Sequence, residues 1–192
     1  ALEWIERLYD EHPDDIGVLS PLFLNIITLK PNEAMFIDSG ELHAYLEGAG
    51  LELMANSDNV IRGGLTSKHI DTAGLMNILV FEPREPRKIL PEKIGNNEAV
   101  YPTDNEEFTL SVITLKGNSG EGSIYHGLGQ RSAEIIICTD GKARIEDIDG
   151  DEIIELSKGM SLFIPASIQG YIISGAATLY KAATPLKINP EI

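Results

Sequence analysis

The chain reads as mainly β, with short strands arranged in a sandwich or barrel and helix confined to two places. Three observations predict this. Branched and aromatic residues gather in short runs, as over residues 22–29, separated by clusters of Pro, Asn, Asp, Ser and Gly. Asp140-Gly141 and Asp149-Gly150 each sit between branched apolar runs, the strongest short hairpin signal. From residue 108 onward the period-2 pattern continues almost without interruption to Ala183.

Taken in order, residues 1–10 place apolar side chains at 2, 4, 5, 8 and 9, which is helical spacing. His12-Pro13-Asp14-Asp15 ends that helix and leaves His12 in an exposed loop. Strands are expected over 22–29, 34–37, 43–46 and 51–55, with Pro31-Asn32 and residues 38–40 as turns. Residues 66–79 read as a helix capped by Thr66 or Ser67. Residues 83–107, with Pro83, Pro86, Pro91 and Pro102, read as a linker or irregular extension. The expected domains are therefore 1–82 and 108–192, the second all β. The chain opens at Ala1 inside a helical pattern, which reads as a piece of a longer protein.

Composition narrows function. The net charge is −15, with 30 acidic and 15 basic residues, which argues against nucleic acid as a partner. Capture of an anionic substrate then rests on particular Arg and Lys residues. No apolar run approaches the roughly 20 residues of a membrane span, and no signal peptide is visible. Cys138 is the only cysteine and lies in a branched apolar run, so it reads as an inert core thiol in a cytoplasmic protein.

An internal repeat is visible. Asn32, Asp38, Gly40 and His43 have the same spacing as Gly159, Pro165, Ser167 and Gly170, at a constant offset (159 − 32 = 170 − 43 = 127). Both frames resemble the second motif of the cupins, small jelly-roll barrels, and so imply two cupin-like barrels. The first has an imidazole, His43, where cupins coordinate metal. The second has Gly170, which offers no side-chain ligand, leaving His126 and Gln130 as alternatives. The second barrel is expected to be metal-free.

Residues 41–62 concentrate His43, Tyr45, Glu52, Asp58 and Arg62 in an apolar, alternating stretch, where charged groups are rarely placed unless paired or functional. His43-Ala44-Tyr45-Leu46 and the run Met54-Ala55-Asn56-Ser57-Asp58-Asn59-Val60-Ile61-Arg62 closely resemble type I mannose-6-phosphate isomerases, and residues 1–82 carry the resemblance best. The resemblance implies interconversion of mannose 6-phosphate and fructose 6-phosphate through an enediol, with one bound zinc. It implies His43 as a zinc ligand. The other ligands, from a Gln-x-His motif and a Glu, are expected from an N-terminal half that would lie ahead of Ala1, because zinc needs three or four protein ligands.

The resemblance also implies Arg62 beside the reacting carbons, where a guanidinium stabilises developing oxyanion charge. Gly63-Gly64 behind it suits a site loop. Tyr45 lies two residues from His43 and would face the same side of a strand. Glu52, between Leu51 and Leu53, points opposite to both, either as an acid–base group or in a salt bridge. Asp58 takes part in proton transfer, orients Arg62, or serves the turn at 56–59. Lys68 holds phosphate or is an ordinary solvated lysine, with Ser67 replacing the family's usual proline. His69 reads as structural or exposed.

The preferred reading is the C-terminal portion of a zinc-dependent isomerase, inactive alone. The alternative is a non-catalytic bicupin module that binds a sugar or a partner. A guanylyltransferase-linked enzyme is disfavoured because the second half has no Gly-x-x-x-x-Gly-Lys loop.

Overall fold

The structure, a computed structural model, describes residues 1–57, 60–117 and 124–186. Its backbone contacts divide into two units, Ala1–Leu51 with Asn56–Lys88, and Glu52–Ala55 with Ile89–Ile192. Among the described residues no helix is long and apolar enough to cross a membrane.

The first unit opens on helix α1, Leu2–Glu11, as its spacing predicts. His12 caps its C-terminus by donating its N–H to the Leu8 carbonyl (2.8 Å), and it is half-buried there instead of exposed in a loop. A 3₁₀ helix follows over Ile16–Leu22, with Asp15 as its N-cap. Strand β1 is confined to Ala34–Met35 and pairs with β2, Lys88–Ile89, where the unit ends. Helix α2 covers Thr72–Ile78. It starts later than the sequence suggests because Asp71, not Thr66 or Ser67, supplies the cap, accepting from the Gly74 N–H at 3.0 Å.

The strands expected over 22–29, 43–46 and 51–55 are not assigned among the described residues. A strand exists only as part of a ladder, and these segments have the composition without the partner. In this unit only Leu8, Val18, Pro21 and Leu75 are buried among the described residues, while Phe23 is 73% and Tyr45 74% exposed.

The second unit is built on one eight-stranded antiparallel sheet. Its strands are β3 (Glu92–Lys93), β4 (Glu98–Val100), β5 (Thr109–Lys116), β6 (Ile124–Gly127), β7 (Glu134–Asp147), β8 (Ile153–Ser157), β9 (Ser161–Ile164) and β10 (Tyr171–Ala183). The main order is β3-β4-β5-β10-β7-β8, with β6 on β10 and β9 on β7. Leu179 of β10 lies opposite Ile113 on one side and Cys138 on the other, and all three are fully buried. This row centres a core that also holds Leu115, Ile136, Ile145, Leu156 and Ile173. The fold is thus mainly β with few helices. A closed barrel is not present among the described residues, and the expected pair of jelly-roll barrels is reduced to this sheet and one two-stranded ladder.

Of the two Asp-Gly signals, Asp149-Gly150 does separate β7 from β8. Asp140-Gly141 does not turn the chain. β7 runs straight through it, and the register against β10 shifts between Thr178 and Leu179. Gly141 has φ +75°, and a Cβ there would strike the Ala176 carbonyl oxygen, so the pair marks a bulge, not a hairpin.

The repeat read from the sequence recurs in the backbone. Glu33 N–H donates to the Lys30 carbonyl at 2.9 Å, and Met160 N–H donates to the Ser157 carbonyl at 3.0 Å. The two bonds are related by the offset of the repeat (160 − 33 = 157 − 30 = 127). Glu41 N–H to Asp38 O and Ile168 N–H to Pro165 O, both 3.3 Å, repeat at the same offset. Asn32 and Gly159 hold positive φ, +69° and +88°, at equivalent turn positions. β1 starts at Ala34 and β9 at Ser161, which are equivalent positions of the repeat as well.

Candidate functional site

The first unit holds a cavity of about 360 Å³. One wall is a face of α1, carrying Trp4, Arg7, Leu8, Glu11 and His12. The facing wall comes from two chain segments, His43 to Leu46 and Arg62 with Gly64, Leu65 and Thr66. The volume suits a small polar metabolite.

Asp15 fixes how these segments meet. One carboxylate oxygen accepts the Gly17 N–H at 2.7 Å, closing the cap of the 3₁₀ helix, and the other accepts the Thr66 N–H at 3.2 Å. The residue that starts one element thereby tethers the loop that follows Arg62. Gly64 permits the close approach. Its φ is +150°, and a Cβ there would sit 3.3 Å from both Asp15 and Gly17.

His43 is oriented by its own chain segment. Its Nδ1 lies 3.1 Å from the Glu41 carbonyl oxygen, which can only accept, so the contact is a hydrogen bond in the tautomer that carries its proton on Nδ1. Metal-binding histidines are commonly held in this way. Tyr45 meets the imidazole edge-on, with ring centroids 6.2 Å apart.

Of the residues singled out in the sequence, His43, Tyr45 and Arg62 therefore line one cavity. Lys68 does not. Its N–H is held by the Thr66 hydroxyl at 3.2 Å and its side chain is exposed. Glu52 belongs by its contacts to the second unit, and Asp58 lies outside the described residues. Sequence reading missed Trp4, Arg7 and His12. Their signal was the spacing 4, 7, 8, 11 and 12, one helical face that mixes polar groups with Trp and Leu.

Among the described residues no group of three or more His, Cys, Asp and Glu converges as a metal site. The described donors do not by themselves make up a zinc site. In the second unit, position 170 carries no side-chain ligand, and a Cβ on Gly170 would lie 2.9 Å from the side-chain ends of Ile148 and Leu128. His126, on β6, is exposed between half-buried Tyr125 and buried Gly127.

The second unit buries charge instead. Lys181 lies 2.8 Å from Glu98, 2.8 Å from the Tyr125 hydroxyl and 3.6 Å from Glu134. Ser111 and Tyr125 donate their hydroxyls to Glu98 at 2.6 and 3.0 Å, and Tyr171 and Arg131 donate to Glu134 at 2.9 and 3.0 Å. Burial works against charge on Glu98, but Lys181 and the two hydroxyls outweigh it and hold its pKa below the ordinary value. The Lys181 pKa is raised: burial opposes its charge, and Tyr125 and Glu98 overcome that opposition. Cys138 is fully buried, and burial pushes its thiol pKa up, as expected of an inert core cysteine.

Against known proteins, residues 97–183 match the family model described as mannose-6-phosphate isomerase, cupin domain. The chain is 37% identical over 185 residues to the mannose-6-phosphate isomerase of Salmonella typhimurium, covering 95% of this chain and 45% of the relative. It is 35% identical over 169 residues to the human enzyme of the same name, covering 86% of this chain and 39% of that one. The crystal structure of the apo form of the Salmonella enzyme superposes with a TM-score of 0.81 at 36% identity, over 96% of this chain and 46% of that chain. The chain spans less than half the length of the curated relatives it matches.

Proposed function

We propose that the chain forms the C-terminal portion of an enzyme of the mannose-6-phosphate isomerase family, one that interconverts mannose 6-phosphate and fructose 6-phosphate; its 37% identity to the Salmonella typhimurium enzyme over 95% of this chain supports the reading. The activity, the sugar phosphate and the N-terminal partner segment are those of a longer protein. The observation that carries the reading is the convergence of His43, Tyr45 and Arg62, which come from two separate chain segments, on one cavity of metabolite size.

Aldose–ketose isomerisation moves a proton between adjacent carbons, and negative charge develops on the oxygens of the enediol. Arg62 offers donors in a rigid fork, so it is proposed to hold that oxygen. The Tyr45 hydroxyl is proposed to donate to a neighbouring sugar oxygen. Glu52 and Asp58 are the proposed carboxylates for proton transfer. For zinc, the reading assigns His43 as the single ligand from this chain and leaves the remaining ligands to the rest of the longer protein. The two-barrel arrangement is part of the same proposal, supported by the backbone turns that recur at the offset of the repeat. A chain whose one cysteine is buried and unpaired suits the cytoplasm.

The test is conversion of mannose 6-phosphate by the longer protein, with and without chelator, beside the 192-residue chain. Chelator-sensitive turnover in the longer protein and none in the short chain is expected. Absence of turnover in the longer protein would overturn the reading in favour of a sugar- or partner-binding module.

A further inference from the structure

We propose that Arg7, on α1, receives the phosphate of the sugar phosphate, the role that the sequence alone offered to Lys68. The inference rests on the isomerase reading for the identity of the ligand, but the anion site itself is argued from geometry.

A chain of net charge −15 repels anions unless a fixed cation meets them locally. The lysines and arginines that line the cavity are Arg7 and Arg62, and Lys68 is absent from its walls. Arg62 is assigned to the reacting end of the sugar. Arg7, on α1, is the remaining cation of the lining for the phosphate.

Arg7 is also held in a posture suited to a phosphate. Its guanidinium lies over the Trp4 ring, 4.3 Å from the centroid, a cation–π contact that restrains the side chain. A planar fork restrained in this way loses less freedom when it binds two oxygens at once. Its Nη1 is 2.9 Å from Glu47, which thus occupies the place of an anion. That pair is exposed, at 48% and 66%, and an exposed pair contributes little. A phosphate dianion competes with one carboxylate for the same edge. Glu11, which also lines the cavity, opposes the anion, and His12 and His43 are the remaining titratable groups that face it besides Tyr45.

Trp4 is the only tryptophan in the chain, so its emission reports on this position alone. Inorganic phosphate, fructose 6-phosphate and fructose are each titrated into the 192-residue chain, with calorimetry alongside because a changed residue 7 alters the Trp4 baseline. The expected result is a saturable response to both phosphates and none to fructose. Arg7→Gln should weaken phosphate binding by about tenfold or more, the scale of a lost charge-assisted bidentate contact. Glu47→Gln should tighten it, because the competing carboxylate is gone, and Lys68→Ala should leave it unchanged.

Binding that survives Arg7→Gln, or is lost in Lys68→Ala, overturns the proposal, as does the absence of any saturable response to phosphate. An Arg7-dependent phosphate response in a longer protein without isomerase activity would leave the anion site standing and remove the enzyme reading. Isomerase activity whose KM is indifferent to Arg7→Gln would do the reverse.

Discussion

The ammonium of Lys181 sits 2.8 Å from the carboxylate of Glu98, and both side chains are nearly nine-tenths buried, at 13% and 12% exposure. The register explains the burial. Lys181 lies two residues beyond Leu179 on β10, hence on the same inward face, with Ser111 opposite it on β5. Replacing only the lysine, as in Lys181→Met, strands Glu98 without its cation, while Glu134 keeps Arg131. The expected cost is about 3–5 kcal/mol. Urea unfolding of the second unit measures it. The double variant Lys181→Met with Glu98→Gln should recover part of the loss, because the buried charge goes with its partner.

The same pair sets a pH window. The Glu98 pKa is lowered in the folded chain, so its contribution is present above the ordinary carboxylate value of about 4.3 and fades as pH falls through the folded value. The Lys181 pKa is raised, so its contribution is complete below about 10.4 and fades as pH climbs through the folded value. Unfolding midpoints should therefore be flat between roughly pH 5 and 9 as far as this pair is concerned. The acid limb should shrink in Glu98→Gln. An acid limb identical in the two proteins would count against the pair as its source.

Two glycines with similar backbone angles should respond differently. Gly141→Ala forces a Cβ against the Ala176 carbonyl and also strains the backbone at φ +75°, so a loss of about 2 kcal/mol or more is expected. Gly159 has φ +88° and open space around it, and its counterpart in the repeat is Asn32, which adopts φ +69°. Gly159→Asn should cost well under about 1 kcal/mol, since Asn tolerates that region. Thermal unfolding of both variants checks the contrast.

In the longer protein, Arg62→Ala should reduce kcat by about 10²–10³-fold, the range for one lost oxyanion donor, while bound metal stays near the wild-type level. His43→Ala should lose metal and turnover together. Elemental analysis beside the activity assay separates the two effects, and normal turnover in either variant would sink the role given to that residue.

Much of this molecule is legible from the amino acids. α1, the all-β character after residue 108 and the Asp149-Gly150 turn follow from local periodicity and turn chemistry, which need no distant partner. The internal repeat is legible because Asn32 and Gly159 answer the same backbone demand for positive φ. What fails is whatever depends on a neighbour in space. Residues 22–29 have the composition of a strand, but composition cannot supply the second half of a ladder. Asp140-Gly141 has hairpin chemistry, but the straight run of β10 beside it converts the pair into a bulge. The ionic cluster was invisible because Glu98, Glu134 and Lys181 are far apart in the chain and only the strand order brings them together. Within the site, the family motif marks His43, Tyr45 and Arg62, whereas Trp4 and Arg7 become meaningful only once α1 forms the facing wall.

The segment at 22–29 has a further consequence for how this chain behaves in a tube. Leu22, Phe23, Leu24, Asn25, Ile26, Ile27, Thr28 and Leu29 carry no charge and no proline, and most of them are exposed. That is the composition from which cross-β stacks nucleate. The opposing force is the net charge of −15, which keeps chains apart while it is unscreened. Self-association of this chain should thus be governed by ionic strength. Light scattering should stay low in dilute buffer and climb as added salt shortens the Debye length from about 30 Å toward about 8 Å.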